Sequence, residues 1–330
     1  MEIILLLLIL LVSTIIQVII HEVGHLVCGL LTGYTFVSFH ILGLSIYKKN
    51  GNMHIHFSHN DVSGQTLLSP NFAESNSIPY FWYHAGGIVF NLVFSILFGC
   101  IAFLSDQSAF MHTFFTFLAI IGLFLAISGS IPLSDISVSL DAYNIRLLKK
   151  STDSKRAFWR MLKIEEALSR GNSYIELPKE WFQPLDKPDY NNNLICGYTL
   201  YKIYWLIENS NFTEAMSLCN EIIQKERVLQ SIKNSAICER EFCNLLISIN
   251  RQIRHLPFSV QESNLKSRCN PLANYHVLYA QAKLVLKDEQ KAQSLKNEFE
   301  KKYCSREDNG EIKYERKMFS FIDVYALSLT

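Results

Sequence analysis

The chain has 330 residues, enough for two ordinary domains, and 49% of them are hydrophobic against 18% charged. With 31 basic and 30 acidic side chains the formal net charge is +1, which leaves no electrostatic case for a nucleic-acid partner. Eight cysteines carry no CxxC pair, which excludes a thiolate metal knuckle; they read as reduced and mostly buried thiols.

Nearly all the lipid-grade sequence lies in the first 150 residues. From Ile3 to Ile20 the chain is almost unbroken apolar sequence. Carried through His21-Glu22-Val23-Gly24-His25 to Thr32, it makes about 30 residues, roughly 45 Å of helix, long enough to span a bilayer. A cleaved leader is disfavoured, because Met1-Glu2 supplies no Lys or Arg and no small-residue cleavage site precedes the polar cluster.

The stretch from Tyr34 to His59 alternates apolar and polar residues and turns at Asn50-Gly51, which predicts a hairpin of two strands of about eight residues. The polar segment that follows, punctuated by Pro70 and Pro79, reads as irregular. Two further spans are expected, roughly Ile78 to Leu104 and Phe110 to Ile131, split by "SDQSA". The basic stretch "RLLKKSTDSKR" after the third span places that end in the cytoplasm by the positive-inside rule. Met1 is then outside and the loop from Gly33 to Ser77 inside, in agreement with Lys48 and Lys49.

Beyond Ser151 the chain reads as a soluble all-α domain, with apolar residues recurring at helical spacing in six segments. Two stretches, Leu194 to Glu226 and Tyr275 to Tyr303, each read as helix, turn, helix. They resemble tetratricopeptide-type repeats loosely, without the full repeat signature. The expected architecture is mainly α. A membrane core of three transmembrane helices with a membrane-edge β-hairpin occupies residues 1–150, and a cytoplasmic helical domain occupies residues 151–330.

The chemistry concentrates in the first span. His21 and His25 lie four residues apart, so on a helix both imidazoles leave one face and can bind one cation. Glu22 follows the first of them, where its carboxylate can serve a water on the open metal position as general base. Each ionisable side chain near a bilayer centre costs about 2.5 to 3.5 kcal/mol on insertion scales, so three within five residues imply a use.

Other histidines carry less. His54 and His56 share one strand face without a carboxylate or cysteine at suitable spacing, and read as a solvated face. His40 and His112 stand without partners in the sequence, and His84, just before Gly86-Gly87, reads as a residue of the helix start.

The motif His21-Glu22-Val23-Gly24-His25, followed by "LVCGLLTGYTFVSFHILGLSIYK", resembles the site-2 protease family of intramembrane zinc metallopeptidases. Two more stretches fit: "HAGGIVFNLVFS", with Gly87 and Asn91 in the family's Gly-x-x-x-Asn pattern, and "GSIPLSDISVSLDAYNI", where the family supplies a third ligand. The resemblance covers roughly residues 1–150. It implies Zn2+ held by His21, His25 and an aspartate, with Glu22 catalytic and with Asn91 and Gly87 contacting substrate. Asp141 is the first choice for third ligand and Asp135 the reserve. The segment departs from the pattern at Gly129, where the family has Asn, and at Ala142, where it has Gly.

The implied partners are a membrane-embedded or membrane-anchored protein or peptide substrate within the lipid bilayer, and a protein or peptide regulator at the C-terminal domain. The alternative is a catalytically silent relative that anchors a protein-binding helical module. A metal transporter would need polar residues toward both ends of the membrane, and the second and third spans show too few.

Overall fold

A computed structural model describes residues 2–49, 52–57, 64–75, 77–104, 108–133, 140–251, 272, 275–304 and 309–327. The chain is mainly helical and divides into two compact units, one of Met1–Ser134 with Ser139–Lys155, the other taking in Arg156–Thr330.

The first unit begins with α1 (Glu2–Leu31), a single helix through the whole leucine-rich run and the histidine motif. Its end is fixed by main-chain bonds from Thr32 and Gly33 back to Gly29 and Leu30, and by the left-handed backbone of Gly33 (φ +92°). Four strands follow: β1 (Tyr34–Ile41), β2 (Leu44–Lys49), β3 (Asn52–Phe57) and β4 (Gln65–Pro70), paired antiparallel in the order β3-β2-β1-β4.

The expected hairpin is therefore one part of a larger sheet. β2 and β3 pair with Lys49 opposite Asn52, and the Asn50-Gly51 turn lies outside the described residues. Where one long first strand was expected, the chain reverses at Leu42 (φ 46°) and Gly43 (φ 85°), two consecutive left-handed residues of the kind that close a tight hairpin. The segment read as irregular contains β4. Leu67 and Leu68 are buried there, and Pro70 is tolerated because it ends an edge strand, where no ladder partner needs its missing N–H.

Helices α2 (Tyr80–Leu104) and α3 (Ala109–Ser130) complete the core of this unit with α1, and α4 (Asp141–Lys150) packs against both α2 and α3. Three helices, Ile3–Leu31, Tyr80–Leu104 and Ala109–Ser130, are long and apolar enough to cross a membrane. Their outer faces expose large side chains such as Leu7, Ile96 and Phe124, a surface suited to hydrocarbon.

Contact between the helices uses small residues. A Cβ added at Gly24 would lie 2.3 Å from the Gly86 carbonyl oxygen, and one added at Gly86 2.3 Å from that of Gly24. The two backbones touch directly. Inside the bundle Gln17 donates to the Leu118 carbonyl at 2.8 Å, and Gly122 leaves room for its amide.

The second unit is all-α among the described residues. It is built from most of α5 (Thr152–Ser169), α6 (Asn193–Glu208), α7 (Phe212–Ile223), α8 (Gln230–Asn250), α9 (Tyr275–Ala280, continued by a π turn to Val285), α10 (Glu289–Tyr303) and α11 (Gly310–Leu327). Ile195, Ile203, Phe242, Phe299 and Phe319 are fully enclosed in its core. Helix α11 was not among the expected segments; its first half mixes Glu, Lys and Arg with Ile312, Tyr314 and Met318, all buried in the fold.

One charged cluster lies at the centre of this core. His276 on α9 is fully buried between Glu239 of α8 (Nε2 to Oε2, 3.2 Å) and Glu315 of α11 (Nδ1 to Oε1, 2.9 Å). Burial opposes the imidazolium, but Glu315 and Glu239 outweigh it and raise the pKa from 6.5 to about 10. A group raised on folding stabilises fully below its unfolded pKa and loses that contribution as pH climbs through the folded value. Burial also pushes the Glu315 carboxyl up, which acts in the same direction. The melting temperature of this unit is expected to fall between pH 7 and pH 10, and the fall to flatten in His276→Gln. Tryptophan fluorescence melts read it, since Trp159, Trp181 and Trp205 lie in this unit.

Candidate metal centre

His21 and His25 sit one turn apart on α1 with their rings edge to face, centroids 4.7 Å apart. Their Nε2 atoms are 3.1 Å from each other. Asp141, the first residue of α4, brings Oδ2 to 3.2 Å from His21 Nε2 and 3.4 Å from His25 Nε2. Four ligands on a tetrahedron at zinc bond lengths of about 2.0–2.1 Å stand about 3.3–3.4 Å from one another. The three atoms thus already have the spacing of one face of such a tetrahedron.

The proton positions agree. His25 Nδ1 is 2.8 Å from the Tyr83 main-chain carbonyl, which can only accept, so the ring carries its hydrogen on Nδ1 and turns the Nε2 lone pair to the centre. His21 Nδ1 is 3.1 Å from the side-chain amide of Asn91. The amide's two ends exchange by a half-turn; with its oxygen toward the ring, His21 adopts the same tautomer as His25. Two imidazole lone pairs and a carboxylate oxygen then converge, an arrangement that repels itself unless a cation or a proton lies among them. Among the described residues this is the only such trio of ligand atoms.

Asp141 is tuned to its position. Its place in the first turn of α4 puts the carboxylate at the positive end of that helix.

The remaining expected residues also lie here. Gly87 of α2 faces His21, and a Cβ there would come within 2.5 Å of the imidazole. Only glycine lets this ring pack on the α2 backbone. Asn91 is fully buried, and the end of its amide turned from His21 has no partner among the described residues. Glu22 is buried on α1; the Thr66 hydroxyl lies 2.9 Å from its Oε2 and 3.0 Å from its main-chain carbonyl. Its Oε1 faces Gly64, where a Cβ would stand 2.8 Å away. Asp135 lies outside the described residues.

Three residues at the site were not anticipated in these roles. His84 places Nδ1 3.8 Å from Asp141 Oδ1, so it faces the carboxylate as well as starting a helix. The signal was present, because His84, Gly87 and Asn91 fall at i, i+3 and i+7 and so share one face of α2. Tyr83 uses its carbonyl on His25 and its hydroxyl on the Thr66 carbonyl at 3.1 Å, joining α1, α2 and β4. Thr66 was hidden because β4 itself was not expected. His40, expected to be alone, is bonded on both ring nitrogens, to Ser45 at 2.7 Å and Ser38 at 3.0 Å.

Two imidazoles and one carboxylate could hold a metal ion and leave a further coordination position open. No protein-family model, curated protein or solved structure matches the chain.

Chelator competition on detergent-solubilised protein checks the ligand set. Asp141→Asn is expected to abolish tight zinc binding and Asp135→Asn to leave it unchanged. Asn91→Ala, which removes the partner of His21 Nδ1, is expected to weaken zinc about 10- to 100-fold.

Proposed function

We propose that the chain is an intramembrane zinc metalloprotease that hydrolyses peptide bonds of membrane-embedded or membrane-anchored substrates. The observation that carries the proposal is the convergence of His21 Nε2, His25 Nε2 and Asp141 Oδ2 at 3.1 to 3.4 Å, on an apolar helix that also carries Glu22. The resemblance of the motif and its flanks to the site-2 protease family supports the same activity.

Zinc, when bound by His21, His25 and Asp141, supplies a Lewis acid that polarises a peptide carbonyl and acidifies a water. Glu22 is the base: Thr66 holds its Oε2, and Oε1 takes the proton from the attacking water and passes it to the leaving amine. Gly64 leaves that oxygen uncovered by any side chain of its own. Asn91 fixes His21 with one end of its amide and offers the other to the substrate backbone.

The substrate must unwind before its peptide bonds are reachable, and β4 gives it somewhere to go. It is an edge strand, pairing with β1 alone among the described residues, and its Thr66 touches Glu22. A strand added along it passes beside the base. Gly87, by seating the His21 ring against α2, keeps that side of the site narrow.

The three apolar helices are read as transmembrane, with the basic flank of α4 and α5 in the cytoplasm and the second unit cytoplasmic. In that unit α6, α7 and α8 pack consecutively through short connections, as a helical hairpin array does. Its role in this proposal is to recruit substrate or to gate cleavage in response to a protein or peptide regulator.

A second reading, a catalytically silent membrane anchor for that helical array, is favoured by Gly129. A Cβ at this position would lie 3.2 Å from Ile88 Cγ1, so the packing there is built without the asparagine of the resembled family. Glu22→Gln separates the two. In vesicles carrying membrane-anchored reporter peptides it is expected to cut the cleavage rate about 10²- to 10⁴-fold while zinc content stays the same. Wild-type protein that holds zinc and cleaves no more than Glu22→Gln would leave the silent anchor. Thr66→Val is expected to lower kcat at unchanged zinc content, by releasing the base.

A further inference from the structure

Helix α4 keeps its positive charge on one side. From Ala142 to Thr152 the chain holds Arg146, Lys149 and Lys150 and no acidic residue. These three fall at i, i+3 and i+4, so they share one face of the helix, and all three are exposed. Among the described residues no carboxylate pairs with any of them. Asp141 and Leu148, seven residues apart, lie on the opposite side, where Leu148 is fully buried. One helix therefore offers a carboxylate to the candidate metal centre and a triad of cations to whatever lies outside.

The position of this triad is fixed at both ends of the helix. At its start, Asp141 Oδ1 stands 3.8 Å from His84 Nδ1 in the first turns of α2. Just past its end, Lys155 Nζ lies 5.6 Å from the ring centroid of Tyr80, the first residue of α2. The cationic face thus runs alongside the place where an apolar helix begins. There Phe81 and Trp82 are each 50% exposed, aromatic side chains of the kind that settle at the headgroup level of a bilayer. A soluble polyanion would meet the cations and leave the two aromatic rings in water. A leaflet that carries anionic headgroups meets both.

We propose that Arg146, Lys149 and Lys150 bind the headgroups of anionic phospholipids, and that this contact fastens α4, the helix that presents Asp141, to the membrane surface. Each lysine or arginine held near an anionic leaflet strengthens the attraction about fivefold. The proposal rests on the reading of the three apolar helices as membrane spans. It requires neither bound metal nor hydrolysis.

Amide hydrogen exchange on the full-length chain tests it, in nanodiscs of phosphatidylcholine alone and in discs where about one lipid in three is phosphatidylglycerol. Exchange of the α4 amides is expected to slow about tenfold in the anionic discs while that of α11, in the second unit, stays the same. Salt at about 1 M, which shortens the screening length to about 3 Å, is expected to remove the difference in the wild-type chain. The triple variant Arg146→Gln, Lys149→Gln, Lys150→Gln is expected to exchange as the wild type does in phosphatidylcholine and to gain nothing from phosphatidylglycerol. Equal α4 exchange in the two kinds of disc, a difference that survives high salt, or a triple variant that keeps the full difference would each overturn the proposal. So would inositol hexaphosphate slowing α4 equally in phosphatidylcholine discs, since the face would then belong to a soluble polyanion. A chain that enters neither kind of disc would sink the membrane reading and this proposal together; a chain that enters both with equal α4 exchange would sink this proposal alone.

Discussion

Hydrocarbon offers no hydrogen-bond partners, so in the proposed membrane setting the polar atoms that the first unit places among its apolar helices depend on partners within the protein. That constraint explains most of what surrounds His21 and His25. The Tyr83 carbonyl and the Asn91 amide each take the Nδ1 side of one ring, which leaves both Nε2 lone pairs aimed at Asp141. Elsewhere in the bundle the same demand turns the Gln17 amide onto the Leu118 carbonyl. The lone pairs of His21 Nε2 and His25 Nε2 meet the Asp141 carboxylate at one point.

Close approach of backbones makes those pairings reachable. Gly24 against Gly86 brings α1 and α2 into main-chain contact, and Gly87 seats the His21 ring one residue further on. With the helices that near, a carbonyl at Tyr83 and an amide at Asn91 reach across to the two histidines without long side chains. The sheet enters through the same residues, since Tyr83 binds β4 and Thr66 of β4 binds Glu22. Glu22, the converging side chains of His21 and His25, and the edge of β4 therefore share one support.

How far the sequence revealed this depends on the range of the signal. The long apolar helices and the pairing of His21 with His25 are local, written in composition and a four-residue spacing, and both were legible. The Asn50-Gly51 hairpin was legible for the same reason, whereas the Leu42-Gly43 reversal was masked by a leucine at a left-handed position, an unusual choice of turn residue. β4 was missed because Pro70 and a short polar approach resemble a loop, and its burial comes from α1, far away in sequence. His84 was undervalued because Asp141 lies 57 positions further along the chain and their relation depends on how α2 and α4 pack.

The placement of Asp141 at the head of α4 also sets an order in time. During synthesis His21 and His25 emerge with the first helix, and the third ligand atom is made only after all three apolar helices. For the proposed metal centre, a nascent chain therefore offers only the two histidines until α4 is made, too few ligands to grip a metal firmly. A chain truncated before α4 keeps its histidines and its glutamate but lacks the carboxylate that closes the site.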